Sequence, residues 1–353
     1  MESNVGQLQK HDSGQDSSKL QVIILATEWG SSNGWVSTVI RELAIQLATS
    51  CHVNITLFLP SECSDKDKEA ANSHGISILV AERRPGFSEL DWLSFPPEDL
   101  PIDVVVGHGV KLGHQAQIIR MTQKCIWFQV VDTDAEERAK FQSCENRTSE
   151  VEKEHKLEVD LCKMADFVIA IGPKMAEAFR TYLFCDQKSV FELTPGLFAD
   201  FASVQRNHAK GKPCILVFGH GDAEDLKLKG FDIAAKSVAA LNGIELMFVG
   251  EREKKHAVIV EHLVTYGIPQ SRLKVKGYVD SPEYLPRLFS QVDLVLMPSR
   301  TEPFGLIGLQ ALSAGLPVIV SKNSGFGEAL TSVTGGSLFV IDSEDASAWT
   351  AAI

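Results

Sequence analysis

The sequence predicts an α/β protein of two doubly wound, Rossmann-like domains, each built on a parallel sheet, with a cleft between them. Three observations carry that prediction. From residue 20 onward, short apolar runs alternate with longer amphipathic stretches, and an unbroken apolar run suits a parallel strand buried on both faces. The rhythm breaks over residues 198–213, where Asn207, Lys210, Gly211 and Lys212 interrupt it, and then restarts. The length of 353 residues divides into roughly two domains at about 150 residues each. The expected bounds are a disordered leader over 1–18, a first domain over 19–203 and a second over 204–353, whose end looks truncated.

The elements follow in order. Residues 21–26 form a first strand, and 30–34 a small-residue turn. A helix follows over 36–48, with Val36, Val39, Ile40, Leu43, Ala44 and Leu47 at helical spacing. Strands are expected at 53–59 and 76–80, with a helix at 65–74 between them, then strands at 104–106 and 126–131. A long charged helix spans 147–165, and strands at 167–171 and 190–193 close this half. Beyond the linker, strands fall at 214–218, 246–249, 273–275, 294–297, 318–320 and 338–340, with helices such as 231–241 and 304–314 between them. Strand–helix alternation of this kind implies right-handed βαβ units.

Composition excludes several classes. Hydrophobic residues make up 44% and charged residues 23%, which is globular composition and not that of a disordered chain. The net charge of −12 argues against non-specific binding to nucleic acid or anionic lipid. No apolar run approaches the ~20 residues of a transmembrane segment. The polar start, with Glu2, Asp12 and Asp16, matches neither a signal nor a transit peptide. The seven scattered cysteines contain no C-x-x-C pair, and a reduced, cytoplasmic chain is the simplest reading.

In such folds ligands sit outside the carboxyl ends of the strands, so three loops stand out. Glu28-Trp-Gly-Ser-Ser-Asn-Gly34 joins the first strand to its helix; Gly30, Asn33 and Gly34 make it either a phosphate- or acceptor-facing loop or a plain turn, and it is not G-x-G-x-x-G. The loop over 219–230 carries Lys227 and Lys229 just before a helix. These lysines either hold a diphosphate with the helix dipole or offset Asp222, Glu224 and Asp225. The third, Met297-Pro-Ser-Arg-Thr-Glu-Pro-Phe-Gly-Leu-Ile-Gly-Leu-Gln310, is the most informative. The amides of Phe304, Gly305 and Leu306 form an anion nest at a helix start, beside the Glu302 carboxylate, which can accept from sugar hydroxyls.

Here the chain resembles the retaining, nucleotide-sugar-dependent glycosyltransferases of the GT-B fold, the family-four type that includes sucrose-synthesising and inositol-glycosylating enzymes. The resemblance runs from about residue 20 to the end. It is strongest over 299–318 and Ser324-Gly-Phe-Gly-Glu328, and is supported by Lys229-Gly230, the Gly30–Gly34 loop, residues 165–170 and Pro195-Gly196.

That resemblance implies roles residue by residue. The family's Glu-x7-Glu element maps to Glu302, on the transferred sugar, and to Gln310, where the family's ribose-binding Glu becomes an amide with a single acceptor oxygen. Of the Arg and Lys that hold the diphosphate, Lys229 matches the Lys, while His220 stands at the Arg position without a guanidinium fork. The family's His near the anomeric centre maps to Asp132, and His108 either lines the acceptor cleft or is structural. The implied catalytic set is Glu302, Lys229 and Asp132. The donor-binding set is His220, Phe304, Gly305, Leu306 and Gln310.

The expected function is transfer of a hexose from a nucleotide-diphosphate sugar to an acceptor hydroxyl, with retention, no cofactor and no metal. Asp132-Thr-Asp134 is a D-x-D triplet, but the metal-binding triplet of that form belongs to another glycosyltransferase fold. His256 and His262 lack the i, i+4 spacing of a zinc pair. The substitutions at Asp132, His220 and Gln310 leave one alternative, a catalytically weakened domain that binds nucleotide sugar or glycan for sensing or interaction. Residues 343–353 read as a helix that stops in mid-pattern, which suggests further domains C-terminal to the chain.

Overall fold

The computed structural model describes residues 19–30, 35–134, 145–205, 211–219, 223–250, 256–279, 281 and 283–353. The leader expected over 1–18 lies outside them. The first sheet contains β1 (Leu20–Leu25), β2 (Val53–Leu59), β3 (Ile76–Val80), β4 (Val104–His108), β5 (Ile126–Val131), β6 (Phe167–Ile171) and β7 (Val190–Leu193). Their order is β3-β2-β1-β4-β5-β6-β7, with parallel pairing throughout. Helices α1 (Trp35–Ser50), α2 (Asp65–Ser73), α3 (Gly109–Thr122), α4 (Glu145–Met164) and α5 (Gly172–Tyr182) fill the crossovers.

The second sheet contains β8 (Cys214–Phe218), β9 (Glu245–Gly250), β10 (Leu273–Gly277), β11 (Leu294–Met297), β12 (Val318–Ser321) and β13 (Val340–Ile341), in the order β10-β9-β8-β11-β12-β13. It too is parallel. Its helices are α6 (Ala223–Leu228), α7 (Phe231–Ala239), α8 (His256–Val264), α9 (Tyr284–Phe289), α10 (Leu306–Ser313), α11 (Gly325–Thr331) and α12 (Ala346–Ala352). Two Rossmann-like domains with parallel sheets follow directly.

The apolar strands behave as their composition demands. Ile23, Ile24 and Leu25 of β1 and Val295 and Leu296 of β11 are buried, because helices cover both faces of each sheet. One apolar core runs from β1 and β4 through Phe198 and Phe201 to Phe289, Leu306 and Leu309. Residues 198–201, read from the sequence as the start of a linker, therefore belong to packed structure. The Phe198 N–H donates to Ser313 Oγ at 3.0 Å. A separate core holds Ile215, Val217, Phe231, Phe248 and Trp349. Trp349 anchors α12, with its indole N–H donating to Ser343 O at 2.8 Å.

Two boundaries differ from expectation. The helix expected from 304 begins at Leu306, because Gly305 has φ +100° and cannot be its first turn. The strand expected at 338–340 is a 3₁₀ turn over Gly336–Phe339 followed by the two-residue β13. Leu338 is 80% exposed there, so its apolar character does not reflect a buried strand. No helix among the described residues is long and apolar enough to cross a membrane.

Candidate active site

The carboxyl ends of β8, β9 and β11 open onto a cavity of about 1050 Å³ between the two domains. The first domain contributes Thr38 and Arg41 of α1 to its wall. The second contributes Phe218, Gly219, Lys229, Gly250, Tyr278, Glu302 and the stretch from Phe304 to Ile307, with Gln310.

Two loops set the chemistry of this wall, and local geometry forces them together. Gly230, the residue before α7, has φ +67°, and a Cβ there would stand 2.0 Å from the Pro298 carbonyl oxygen. Only glycine allows that approach. The Arg300 N–H then donates to Leu228 O at 2.8 Å. Across this seam the Lys229 ammonium donates to Glu302 Oε2 at 2.5 Å, and Ser299 Oγ donates to the same oxygen at 3.3 Å. Lys227, weighed with Lys229 in the sequence, does not line the cavity.

Glu302 itself is held by its backbone. Its N–H donates to Asn323 O, and its carbonyl accepts from the Gly325 N–H. Next along the chain, Phe304 is buried against Phe326, ring centroids 6.0 Å apart. Full burial of a phenylalanine is worth about 1.5–3 kcal/mol, enough to pin the turn that precedes α10. Gly305 then reverses the chain, and Leu306 starts the helix. Gln310, one turn into α10, is also buried against the cavity. The first domain reaches the same loop from behind. Lys174 Nζ of α5 donates to Thr301 Oγ1 and Asn323 O, each at 2.8 Å.

The structure thus brings Lys229, Glu302, Phe304, Gly305, Leu306 and Gln310 to one cavity wall. Asp132 and His108 lie elsewhere. They sit at the ends of the adjacent strands β5 and β4, and His108 Nε2 hydrogen-bonds Asp132 Oδ2 in a buried pair. Neither lines the cavity. Thr133 Oγ1 donates to the other Asp132 oxygen at 2.9 Å, and Asp134 accepts from Tyr182 Oη at 2.9 Å. Beside them Glu158 of α4 is buried. Burial, with Asp132, Glu154 and Asp134 nearby, pushes its carboxyl well above the usual range. Among the described residues no group of three metal-ligating side chains forms. Gly30 follows β1 in open space; Asn33, Gly34 and His220 lie outside the described residues.

Several cavity residues carried no sequence signal. Thr38 and Arg41 fall in the helix expected over 36–48 but in no motif, and Phe218 is the end of the strand expected at 214–218. Tyr278 stands edge-on between Phe218 and Tyr284, with ring centroids at 5.6 and 5.4 Å; only its place directly after β10 marks it.

Comparison with known proteins decides the family. Residues 23–353 match the model described as "Family 4 Glycosyltransferase in conflict systems". The chain belongs to that glycosyltransferase family. The chain is 31% identical over 138 residues to the D-inositol 3-phosphate glycosyltransferase of Mycobacterium marinum, covering 36% of this chain and 27% of the relative. It is 35% identical over 96 residues to the O-antigen biosynthesis glycosyltransferase WclY of Escherichia coli, covering 27% and 26%. The matched segments thus span about a quarter of the length of these curated relatives. Among solved structures, the chain resembles sucrose-phosphate synthase from Thermosynechococcus elongatus, with TM-score 0.69, 18% identity and 95% and 88% coverage. Anabaena HepE in complex with UDP and glucose gives TM-score 0.66, 15% identity and 94% and 88% coverage. These likenesses show the shared GT-B fold.

Proposed function

We propose that the chain transfers a hexose from a nucleotide-diphosphate sugar to an acceptor hydroxyl, with retention at the anomeric carbon. The observation that carries this reading is the Lys229–Glu302 pair, 2.5 Å apart, on the wall of an interdomain cavity that also receives the start of α10. A cation and a helix N-terminus suit a diphosphate; a carboxylate beside them suits sugar hydroxyls. The family match supports the reaction class, and HepE, a protein of the same fold, has been solved with UDP-glucose.

In this scheme the diphosphate lies against Lys229 and the amides of Phe304, Gly305 and Leu306, while Glu302 takes a hydroxyl of the transferred sugar. Gln310 meets the ribose. The bond from the anomeric carbon to the β-phosphate oxygen breaks, and charge grows on that phosphate, where Lys229 and the helix start stabilise it. The acceptor oxygen attacks from the same face, and its proton passes to the leaving phosphate oxygen. No side chain serves as a covalent nucleophile, and no step calls on a metal. Closing the two domains keeps water from the donor.

The test is a panel of nucleotide sugars, including UDP-glucose, read by thermal shift and by release of the nucleoside diphosphate. A donor that raises Tm and is slowly hydrolysed supports the proposal. Failure of every nucleotide and nucleotide sugar to shift Tm or turn over would remove it. Binding without turnover, restored by Gln310→Glu and His220→Arg, would reassign the chain as a ligand-binding module.

A further inference from the structure

We propose that Arg300 is a positioning residue: with Asp232 it clamps the two loops that bring Lys229 and Glu302 together. The link to turnover rests on the function proposed above; the clamp itself rests on geometry. Neither residue lines the cavity.

Arg300 sits in the β11–α10 loop, two residues before Glu302. Its side chain is largely buried, at 11% exposure. Among the described residues, all but one of its bonds go to the segment that flanks Lys229. Nη1 donates to Lys227 O at 2.5 Å and to Asp232 Oδ1 at 2.8 Å, and Nη2 donates to Asp232 Oδ2 at 2.9 Å. The backbone N–H adds the bond to Leu228 O. Lys229 is therefore fixed on both sides, at 227–228 and at 232, by a residue two positions from Glu302. The remaining bond, from Nε to Glu344 Oε2 at 2.8 Å, reaches a carboxylate that is 60% exposed and does not line the cavity.

A guanidinium suits this task because its planar fork meets both oxygens of one carboxylate while a further N–H reaches a carbonyl. A lysine would supply charge without that fork. Burial pushes the Asp232 carboxyl up, but the Arg300 hydrogen bonds and charge, together with Lys236 and the Ile233 N–H, outweigh it and hold it below its ordinary value, so the clamp is ionised at neutral pH. An ion pair that served stability alone would leave the spacing of Lys229 and Glu302 unchanged when cut. The clamp predicts that the spacing changes.

The experiment compares the wild-type chain with Arg300→Lys and Asp232→Asn, and uses Glu344→Gln as control. The first readout is the rate at which Lys229 is acetylated by acetic anhydride, followed by peptide mass spectrometry. Both clamp variants should expose Lys229 to acetylation several-fold faster, while Glu344→Gln should match wild type. The second readout is UDP release from UDP-glucose at a temperature where every chain is folded. There kcat should fall by about tenfold or more in the clamp variants, since small misplacements of reacting groups cost that much. Unchanged Lys229 acetylation in whichever variant folds would overturn the clamp, as would a lowered Tm with wild-type kcat. A wild-type chain that neither binds UDP nor hydrolyses UDP-glucose would remove the functional reading, and the acetylation contrast would still decide the clamp.

Discussion

Lys229 and Glu302 meet at a cavity wall where each keeps some contact with water, 24% and 13% exposed. A pair so placed contributes at most about 1 kcal/mol to folding. A cation aimed at a developing phosphate charge is worth more, about 10²–10³ in rate when removed. Lys229→Met should therefore lower donor turnover by about 10²-fold and shift the urea midpoint by less than about 1 kcal/mol equivalent. Equal losses in both measurements would make the pair a structural one. Glu158 presents the opposite case, a carboxyl whose cost is paid in the fold. Its folded pKa lies well above 4.5, so the folded state holds the proton more tightly than the unfolded chain does. Stability from this group is full below 4.5 and declines as pH rises through the folded value. Glu158→Gln should abolish that decline. Urea unfolding should find the variant progressively more stable than wild type above pH 4.5, and parallel curves would refute the assignment. Asp232, with its carboxyl lowered, acts with the other sign, and its contribution disappears only as pH falls through its folded value.

The regular elements were legible because their causes are local. A run such as residues 22–25, apolar and rich in β-branched residues, suits a strand covered on both faces, and Ser324 and Asp345 cap the helices that follow them by accepting from the Gly327 and Ser347 amides. Misplaced boundaries came from backbone geometry that composition does not display. Gly305 removes two residues from the expected start of α10, and the exposed Leu338 mimics a strand. Side-chain pairings were not legible for a different reason. Lys229 and Glu302 are 73 positions apart, and His108 and Asp132 meet only because β4 and β5 run side by side. Loop chemistry could be assigned from the sequence; which loops touch is decided by strand order. Gly230 makes this concrete, since it permits the close seam against Pro298. Gly230→Ala would add strain at a positive φ, worth about 1–3 kcal/mol, plus a collision with backbone that cannot swing away. Chemical denaturation should show a loss of at least about 2 kcal/mol. A neutral result would mean the two loops can part without cost.

Between the domains, the donor-side loop is shared property. Lys174 of α5 bonds Thr301 and Asn323, and Gly172 lies so near the Phe304 ring that a Cβ there would stand 2.5 Å from it. The loop that carries Glu302 is thus stabilised by its own domain through Arg300 and by the other domain through the β6–α5 turn. Local opening of such a loop should then couple to separation of the domains, because neither half of the contact is satisfied alone. Lys174→Met removes the charged half and leaves the aromatic packing. The expected result is faster amide hydrogen exchange at two places together, the turn over 171–174 and the loop over 299–305, with the core strand β8 unchanged. Faster exchange in the turn alone would show that the loop holds its form without its neighbour, and the coupling would fall. Joint acceleration, reversed by a bound nucleoside diphosphate, would tie the donor loop to the closed arrangement of the two domains.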